Sequence, residues 1–378
     1  MRRAVALAAQ GLGGTSPNPV VGCVILAADG TIAGEGLHHR AGGPHAEVAA
    51  LRAAGAAAAG GTAVVTLEPC DHSGRTGPCT RALLAAGIRR VVYAVSDPDP
   101  TASGGAETLR AAGLEVVGGV LAEEAALGNR YWLVAAARRR PFVTWKYGAT
   151  LDGRVAAADG SSRWVTGPEA RRDAHRLRAS HDAVLVGAGT LRTDDPALDL
   201  RHGVVGRPPL RVVAASSGHG LPVTARIWDG SAPTLLAVAE PGSAAGLPGD
   251  VEVLAVPRGP RGRGVDLRAL LRELYARGVR SVLAEGGPTL AGALLEAGLV
   301  DEVVGYLAPS VLGAGPSCLA SEAMPSVGAA VRFEFTAVTR LGGDLRISAA
   351  PVAATAAPPP ATEAAPVAVA AGSGAVAR

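Results

Sequence analysis

Pro44-His45-Ala46-Glu47, then Ala63-Val64-Val65-Thr66-Leu67-Glu68-Pro69-Cys70, then Pro78-Cys79, are the segments on which the reading of this chain turns. One histidine and two cysteines give three protein ligands for a tetrahedral zinc. The fourth position is left for water, as in a catalytic site rather than a closed structural one. Glu47, two residues beyond the histidine, is not needed as a ligand. It is placed to move protons while an activated water attacks an amidine-type carbon and ammonia leaves. The run Ala63–Leu67 reads as a strand, with one helix from near His45 to about Ala57 and another from about Pro78 to Ala86. His45 and Glu47 then share the first turn of one helix, and the cysteines stand at the start of the next. Two helix N-termini facing the metal favour an anion there. A structural zinc, or no metal, is the alternative; Pro-Cys and Cys behind a strand weigh against it.

Working outward, strand and helix signals alternate, which implies α/β layers. Met1 to Gln10 reads as a helix, and Val20 to Leu26 pairs with Thr31 to Glu35 across Asp29-Gly30. A strand at Arg90–Val95 and helices at Glu107–Ala112 and Glu123–Arg138 complete a first domain over residues 1–140. Arg138-Arg139-Arg140-Pro141 ends that helix as a solvated charge cluster, and Phe142-Val143-Thr144-Trp145-Lys146 opens a second domain, 141–350. There a helix from Pro168 to Ala179 is expected to be capped by Thr166. Strands follow at 183–186, 211–214, 234–238, 251–256, 281–284 and 302–307, and 331–341 with 344–349 forms a closing antiparallel pair. From about Pro351 to Arg378 the sequence is Ala, Pro, Gly and Val, a disordered tail with no assigned role.

The 378 residues suffice for two domains with their own cores. A net charge of +3 and 3% aromatic residues exclude a nucleic-acid surface or a stacking platform. No apolar run reaches the roughly 20 residues a bilayer requires. The apolar stretch after Met1-Arg2-Arg3 stops at Gln10 with no cleavage site, so the chain is read as cytoplasmic, with a small-molecule partner and no membrane. Four cysteines in a chain of this length are no disulfide framework. Cys23 reads as a small core residue, and Cys318 has no assigned role.

No Gly-x-Gly-x-x-Gly follows a strand, so a Rossmann site is unsupported. Val184-Leu185-Val186-Gly187-Ala188-Gly189-Thr190 and Ser281-Val282-Leu283-Ala284-Glu285-Gly286-Gly287-Pro288-Thr289-Leu290 each feed a strand into glycines. Such turns admit a phosphate to backbone amides or are plain turns.

His-x-Glu with a later Pro-Cys and Cys is the signature of the zinc-dependent base deaminases. Most of these have Pro-Cys-x-x-Cys, whereas here Asp71-His72-Ser73-Gly74-Arg75-Thr76-Gly77-Pro78 separates the cysteines. This widened loop, together with Ser16-Pro17-Asn18-Pro19-Val20-Val21-Gly22 and Ala41-Gly42-Gly43-Pro44-His45-Ala46-Glu47, resembles the bifunctional riboflavin-biosynthesis deaminase/reductase. Ala149-Thr150-Leu151-Asp152-Gly153-Arg154-Val155-Ala156, Ser162-Arg163-Trp164-Val165-Thr166, Gly187 through Pro196 and Glu285-Gly286-Gly287 look like the reductase half of the same family. The resemblance covers roughly residues 1 to 350. It implies a cytidine-deaminase-like three-layer domain followed by a dihydrofolate-reductase-like domain. It also implies a two-step activity: zinc-dependent hydrolytic deamination of 2,5-diamino-6-(5-phosphoribosylamino)pyrimidin-4(3H)-one, then reduction of the ribosyl chain to ribityl by NADPH.

Carried over by position, the resemblance implies that zinc is held by His45, Cys70 and Cys79, with Glu47 catalytic. It places NADPH against Gly148, Trp164, Thr190, Asp194, Gly287, Pro288 and Thr289. Substrate falls to Asn18, Ser162, Arg178, Leu198, Arg201 and Glu285. Arg178 and Arg201 suit a phosphate as guanidinium forks, or are ordinary surface residues. Asp194 reads as a hydroxyl acceptor or a turn residue, Asn18 as a ring-reading amide or a turn asparagine. Lys146, the only lysine, reads as a required ammonium or a strand-end residue. His72 and Arg75 are within the loop expected to meet a phosphate. Two positions depart from the family: Asp199 stands where threonine is usual and Ala215 where aspartate is usual. Rival readings are a deaminase joined to a non-catalytic NADP-binding or ligand-binding domain, or another nucleoside-type deaminase. Self-association fits sheets whose faces need cover, without specifying a count.

Overall fold

Burial alternates along the strand Gly22–Leu26 (β1), with Cys23 and Ile25 packed toward one layer and Val24 toward the other. That alternation is the period-two pattern of a sheet covered on both faces. The computed structural model describes residues 1–72, 77–240, 244, 246–248 and 251–352. The tail beyond 352 and Arg75 lie outside these. β1 runs antiparallel to Ile32–Leu37 (β2) and to Thr62–Leu67 (β3), and β3, Arg90–Val95 (β4) and Glu115–Val117 (β5) are parallel. The sheet order is β2-β1-β3-β4-β5. Ala46, Ala50 and Ala54 of helix Ala46–Ala54 (α2) pack on one face with Leu83 of Cys79–Ala85 (α3) and Leu109 of Gly105–Ala111 (α4). Ala4 and Leu7 of Arg2–Ala9 (α1) cover the other face. The result is the expected three-layer α/β arrangement. Gly34 and Gly36 let α2 lie close on β2, since a Cβ at Gly36 would stand 2.4 Å from the Ala46 carbonyl oxygen.

A second sheet has nine strands, from Phe142–Thr150 (β6), Ala183–Gly187 (β7), Leu210–Ser217 (β8), Thr234–Glu240 (β9), Glu252–Ala255 (β10), Ser281–Ala284 (β11), Glu302–Ala308 (β12), Phe333–Leu341 (β13) and Asp344–Pro351 (β14). Its order is β10-β9-β8-β7-β11-β6-β12-β14-β13, parallel as far as β12 and antiparallel beyond. Leu270, Leu271 and Leu274 of Leu267–Ala276 (α9), with Leu294 of Pro288–Glu296 (α10), fill one face. Leu177 of Pro168–Ala179 (α7) and Leu191 of Ala188–Asp194 (α8) fill the other.

Four local expectations are corrected. The helix expected over Glu123–Arg138 is two helices, Ala122–Gly128 (α5) and Arg130–Arg138 (α6). Asn129 breaks it because its buried Oδ1 accepts the Val20 N–H at 3.2 Å. α7 is capped by Gly167 rather than Thr166, and the Gly167 N–H donates to Asp344 Oδ2 at 2.6 Å. Cys79 opens α3 as expected, but Cys70 lies in the loop after β3 and not on a helix. The arginines ending α6 are only partly a solvated cluster: Arg138 and Arg139 are exposed, whereas Arg140 is drawn in. Arg138 and Arg140 pair with Asp301, whose side chain is 3% exposed, with Arg140 Nη1 at 2.6 Å from Oδ2. The strand β5, three residues long, is too short to show an alternation in the sequence.

Candidate active site

His45 is the N-cap residue of α2, and Glu47 is in the first turn of that helix. Helix geometry therefore turns the histidine outward and carries Glu47 inward, where it is 3% exposed. His45 Nδ1 lies 3.2 Å from Cys79 Sγ and 3.5 Å from Cys70 Sγ, and the three ligand atoms all fall within 4.8 Å of one another. Zn–N and Zn–S bonds of ordinary length at a tetrahedral angle place N and S roughly 3.6 Å apart. The trio therefore fits zinc without rearrangement. The neighbouring Cys79 thiol and the His45 ring hold Cys70 down to about 4, whereas Cys79 is pushed up by the same contact and by burial. A thiol lowered in this way beside a histidine is a ready soft-metal ligand, and metal binding at the trio would release the thiol protons. Burial raises the Glu47 carboxyl above its usual range, so it can hold as well as accept a proton.

These residues sit in a cavity of about 410 Å³ that also reaches Asn18, His38 and His72. Asn18 Nδ2 is 3.0 Å from His38 Nε2, and His38 Nδ1 is 2.9 Å from the Pro44 carbonyl. If Nδ1 carries the proton, Nε2 accepts from the Asn18 amide and leaves Asn18 Oδ1 free to read a ring N–H. Sequence reasoning missed His38; a histidine at the end of a strand carries no local signal. Burial pushes Asp97, on the same lining, up to about 6. Trp132 of α6 closes one side, its indole N–H donating to the Pro17 carbonyl at 3.1 Å.

Of the second group of expected residues, Glu285 and the turns at 187–190 and 287–289 stand at the C-terminal ends of the parallel strands β7 and β11, where α/β sheets present ligands. Glu285 follows β11 and is met by Arg178 from α7, with Nε to Oε1 at 2.9 Å and Nη2 to Oε2 at 3.0 Å. Lys146 Nζ reaches the same carboxylate at 2.9 Å. Arg178 and Lys146 hold the buried Glu285 carboxyl well below the usual carboxylate range, against a desolvation that would raise it. Arg178 is therefore 7% exposed and committed to Glu285, not a surface residue, and Lys146 is drawn inward rather than left at a strand end. Thr190 Oγ1 accepts the Gly287 N–H at 2.9 Å, which ties the β7–α8 turn to the β11–α10 turn that also carries Pro288 and Thr289. Gly148 faces Thr166, whose Cγ2 would stand 3.3 Å from a Cβ. Trp164 is 66% exposed with the Arg171 guanidinium 4.4 Å above its ring, and the Asp194 carbonyl accepts from Arg163 at 3.1 Å. Ser162 is half-buried and its carbonyl accepts from Val165 N–H at 3.1 Å. Leu198 is buried, and Arg201 pairs with Asp199 at 2.9 Å. Ala215 is buried in the core under α7.

Residues 1–95 match the cytidine and deoxycytidylate deaminase zinc-binding region, and residues 141–347 match the RibD C-terminal domain. The chain belongs to the RibD family. It is 43% identical over 340 residues to the riboflavin biosynthesis protein RibD of Mycobacterium tuberculosis, covering 89% of this chain and 92% of that one. It is 43% identical over 359 residues to RibD of Escherichia coli, covering 91% and 96%. Among solved structures, the diaminohydroxyphosphoribosylaminopyrimidine deaminase/5-amino-6-(5-phosphoribosylamino)uracil reductase of Thermotoga maritima superposes with a TM-score of 0.84 at 34% identity, over 93% and 97% of the two chains. As a RibD-family protein it is a bifunctional enzyme of riboflavin biosynthesis, a zinc-dependent deaminase and an NADPH-dependent reductase. No helix among the described residues is long and apolar enough to cross a membrane.

Proposed function

We propose that residues 1–140 deaminate 2,5-diamino-6-(5-phosphoribosylamino)pyrimidin-4(3H)-one and that residues 141–350 then reduce its ribosyl chain to ribityl. The observation that carries the reading is the His45, Cys70 and Cys79 trio beside the buried Glu47 at one cavity, in the same chain as the Glu285 cluster. Zinc, when bound by the trio, supplies an acidified water. Glu47 takes a proton at its carboxylate and returns it to the amino nitrogen, which departs as ammonia as the C–N bond breaks and a C–O bond forms. Asn18, oriented by His38, reads the ring.

In the second half NADPH supplies the hydride. Thr190, Gly287, Pro288 and Thr289 would receive its phosphates where two turns meet, and Gly148, Trp164 and Asp194 its remaining surfaces. Glu285, kept ionised, accepts ribosyl hydroxyls, and Lys146 Nζ is a proton-bearing group at the same place. Arg178 acts through Glu285, while Ser162, Leu198 and the more exposed Arg201 border the substrate. The reading keeps the expectation of a cytoplasmic enzyme acting on a small molecule.

The test is ammonia release from the zinc-loaded Glu47→Gln variant. Loss of about 10²–10⁴-fold is expected with zinc content unchanged. Retained ammonia release would remove Glu47 from the chemistry and this reading with it.

A further inference from the structure

The cavity around the zinc ligands is lined by four carboxylates, those of Glu47, Glu68, Asp97 and Asp99, and among the described residues by a single arginine or lysine. That cation, Arg280, comes from the other half of the chain, just before β11. A substrate carrying a 5′-phosphate has to bring two negative charges past this acidic lining. The carboxylates outside the metal site are engaged locally. Glu68 accepts the backbone N–H groups of Asp97, Gly104 and Ala106, Asp97 accepts that of Asp99, and Asp99 accepts from Thr101. None of them forms an ion pair with Arg280.

Arg280 is held in place with no side-chain ion pair of its own among the described residues, although the Asp182 and Asp99 carboxylates act on its charge from further away. Its backbone N–H donates to Asp182 Oδ2 at 2.8 Å, and Nη1 donates to the carbonyls of Tyr275 and Val279 at 2.9 and 3.3 Å. The guanidinium carbon lies 4.1 Å from the centroid of the Tyr275 ring, which also lines the cavity. Nε and Nη2 make no hydrogen bond among the described residues. The result is a stacked, half-buried guanidinium on the cavity lining whose Nε and Nη2 are not used within the protein.

We infer that Arg280, supplied by the reductase half, receives the 5′-phosphate of the substrate bound in the deaminase cavity, so that the second domain completes the specificity of the first site. The inference rests on the phosphorylated pyrimidine proposed above. Stacking on Tyr275 fixes the direction of the fork, so little side-chain freedom is lost when the phosphate arrives.

Ammonia release is measured for wild type, Arg280→Gln and Arg280→Lys, on the phosphorylated diaminopyrimidine and on its dephosphorylated counterpart. For Arg280→Gln, KM for the phosphorylated substrate should rise about 10- to 100-fold, with kcat within about twofold. KM for the dephosphorylated compound should stay unchanged, and Arg280→Lys should recover part of the loss. An equal loss on both compounds would make Arg280 structural, and an unchanged KM would remove it from the site; either overturns the inference. No ammonia from wild type on either compound would instead overturn the substrate assignment, and the inference with it. If Arg280→Gln fails to fold, ribose 5-phosphate competition is compared between wild type and Tyr275→Leu. Weaker inhibition of the variant supports the phosphate contact, and equal inhibition overturns it.

Discussion

His181 shows what a single buried group imposes on this protein. It follows α7 with its ring 4.7 Å from Tyr131, Nδ1 at 2.8 Å from the Leu177 carbonyl and Nε2 at 3.0 Å from Thr144 Oγ1. Burial lowers it to about 4, so the folded state keeps the ring neutral where an unfolded chain would protonate it at about 6.5. The unfolded state then binds the extra proton, and stability falls as pH drops from about 6.5 through about 4. The contribution is on the order of 3 kcal/mol at full protonation. Denaturation midpoints measured across that window should decline, and His181→Gln should flatten the decline. An identical slope in the variant would assign the pH dependence elsewhere. The same competition between burial and partners sets Glu47 and Glu285 in opposite directions. The first has mainly burial acting on it, whereas the second has two cations within hydrogen-bond distance.

The two glycine turns work as a pair through the Thr190 hydroxyl bonded to the Gly287 N–H. Thr190→Val keeps the shape and leaves that N–H without its partner, a cost of about 1–2 kcal/mol. KM for NADPH should rise about tenfold while ammonia release stays unchanged; an unchanged KM for NADPH would separate this turn from the cofactor. Such elements were largely legible in the sequence. Apolar runs leading into glycines announced β7 and β11, and Pro-Cys behind an apolar run announced the metal loop. What was not legible depends on contacts distant in the chain. Asn129 breaks a helix for the sake of Val20, and Asp344 takes the N–H at the start of α7. His38 owes its place to Asn18 and Pro44, and Arg280 reaches the first site only because α9 and β11 pack beside it. Periodicity reports which face of an element is buried, not which distant residue it meets.

At the scale of the whole molecule, α6 is clamped to the start of β12. Arg140 binds Asp301 through both Nη atoms at 2.6 and 2.8 Å, Arg138 joins it, and Arg130 reaches Glu302 at 3.3 Å. The Val143 N–H donates to the same Asp301 at 2.8 Å. This fastening fixes the reductase sheet against the wall of the deaminase cavity, which is how one chain can present two sites in a set relation. The central claim is that both sites turn over, in order, on one substrate. The direct measurement follows ammonia and NADPH absorbance separately in a single reaction of zinc-loaded protein with the phosphorylated diaminopyrimidine. Ammonia should appear with or without NADPH, and NADPH should be consumed only after ammonia has been released. NADPH consumption that precedes or bypasses ammonia release would contradict the account, as would ammonia release with no NADPH consumption even when the deaminated pyrimidine is supplied.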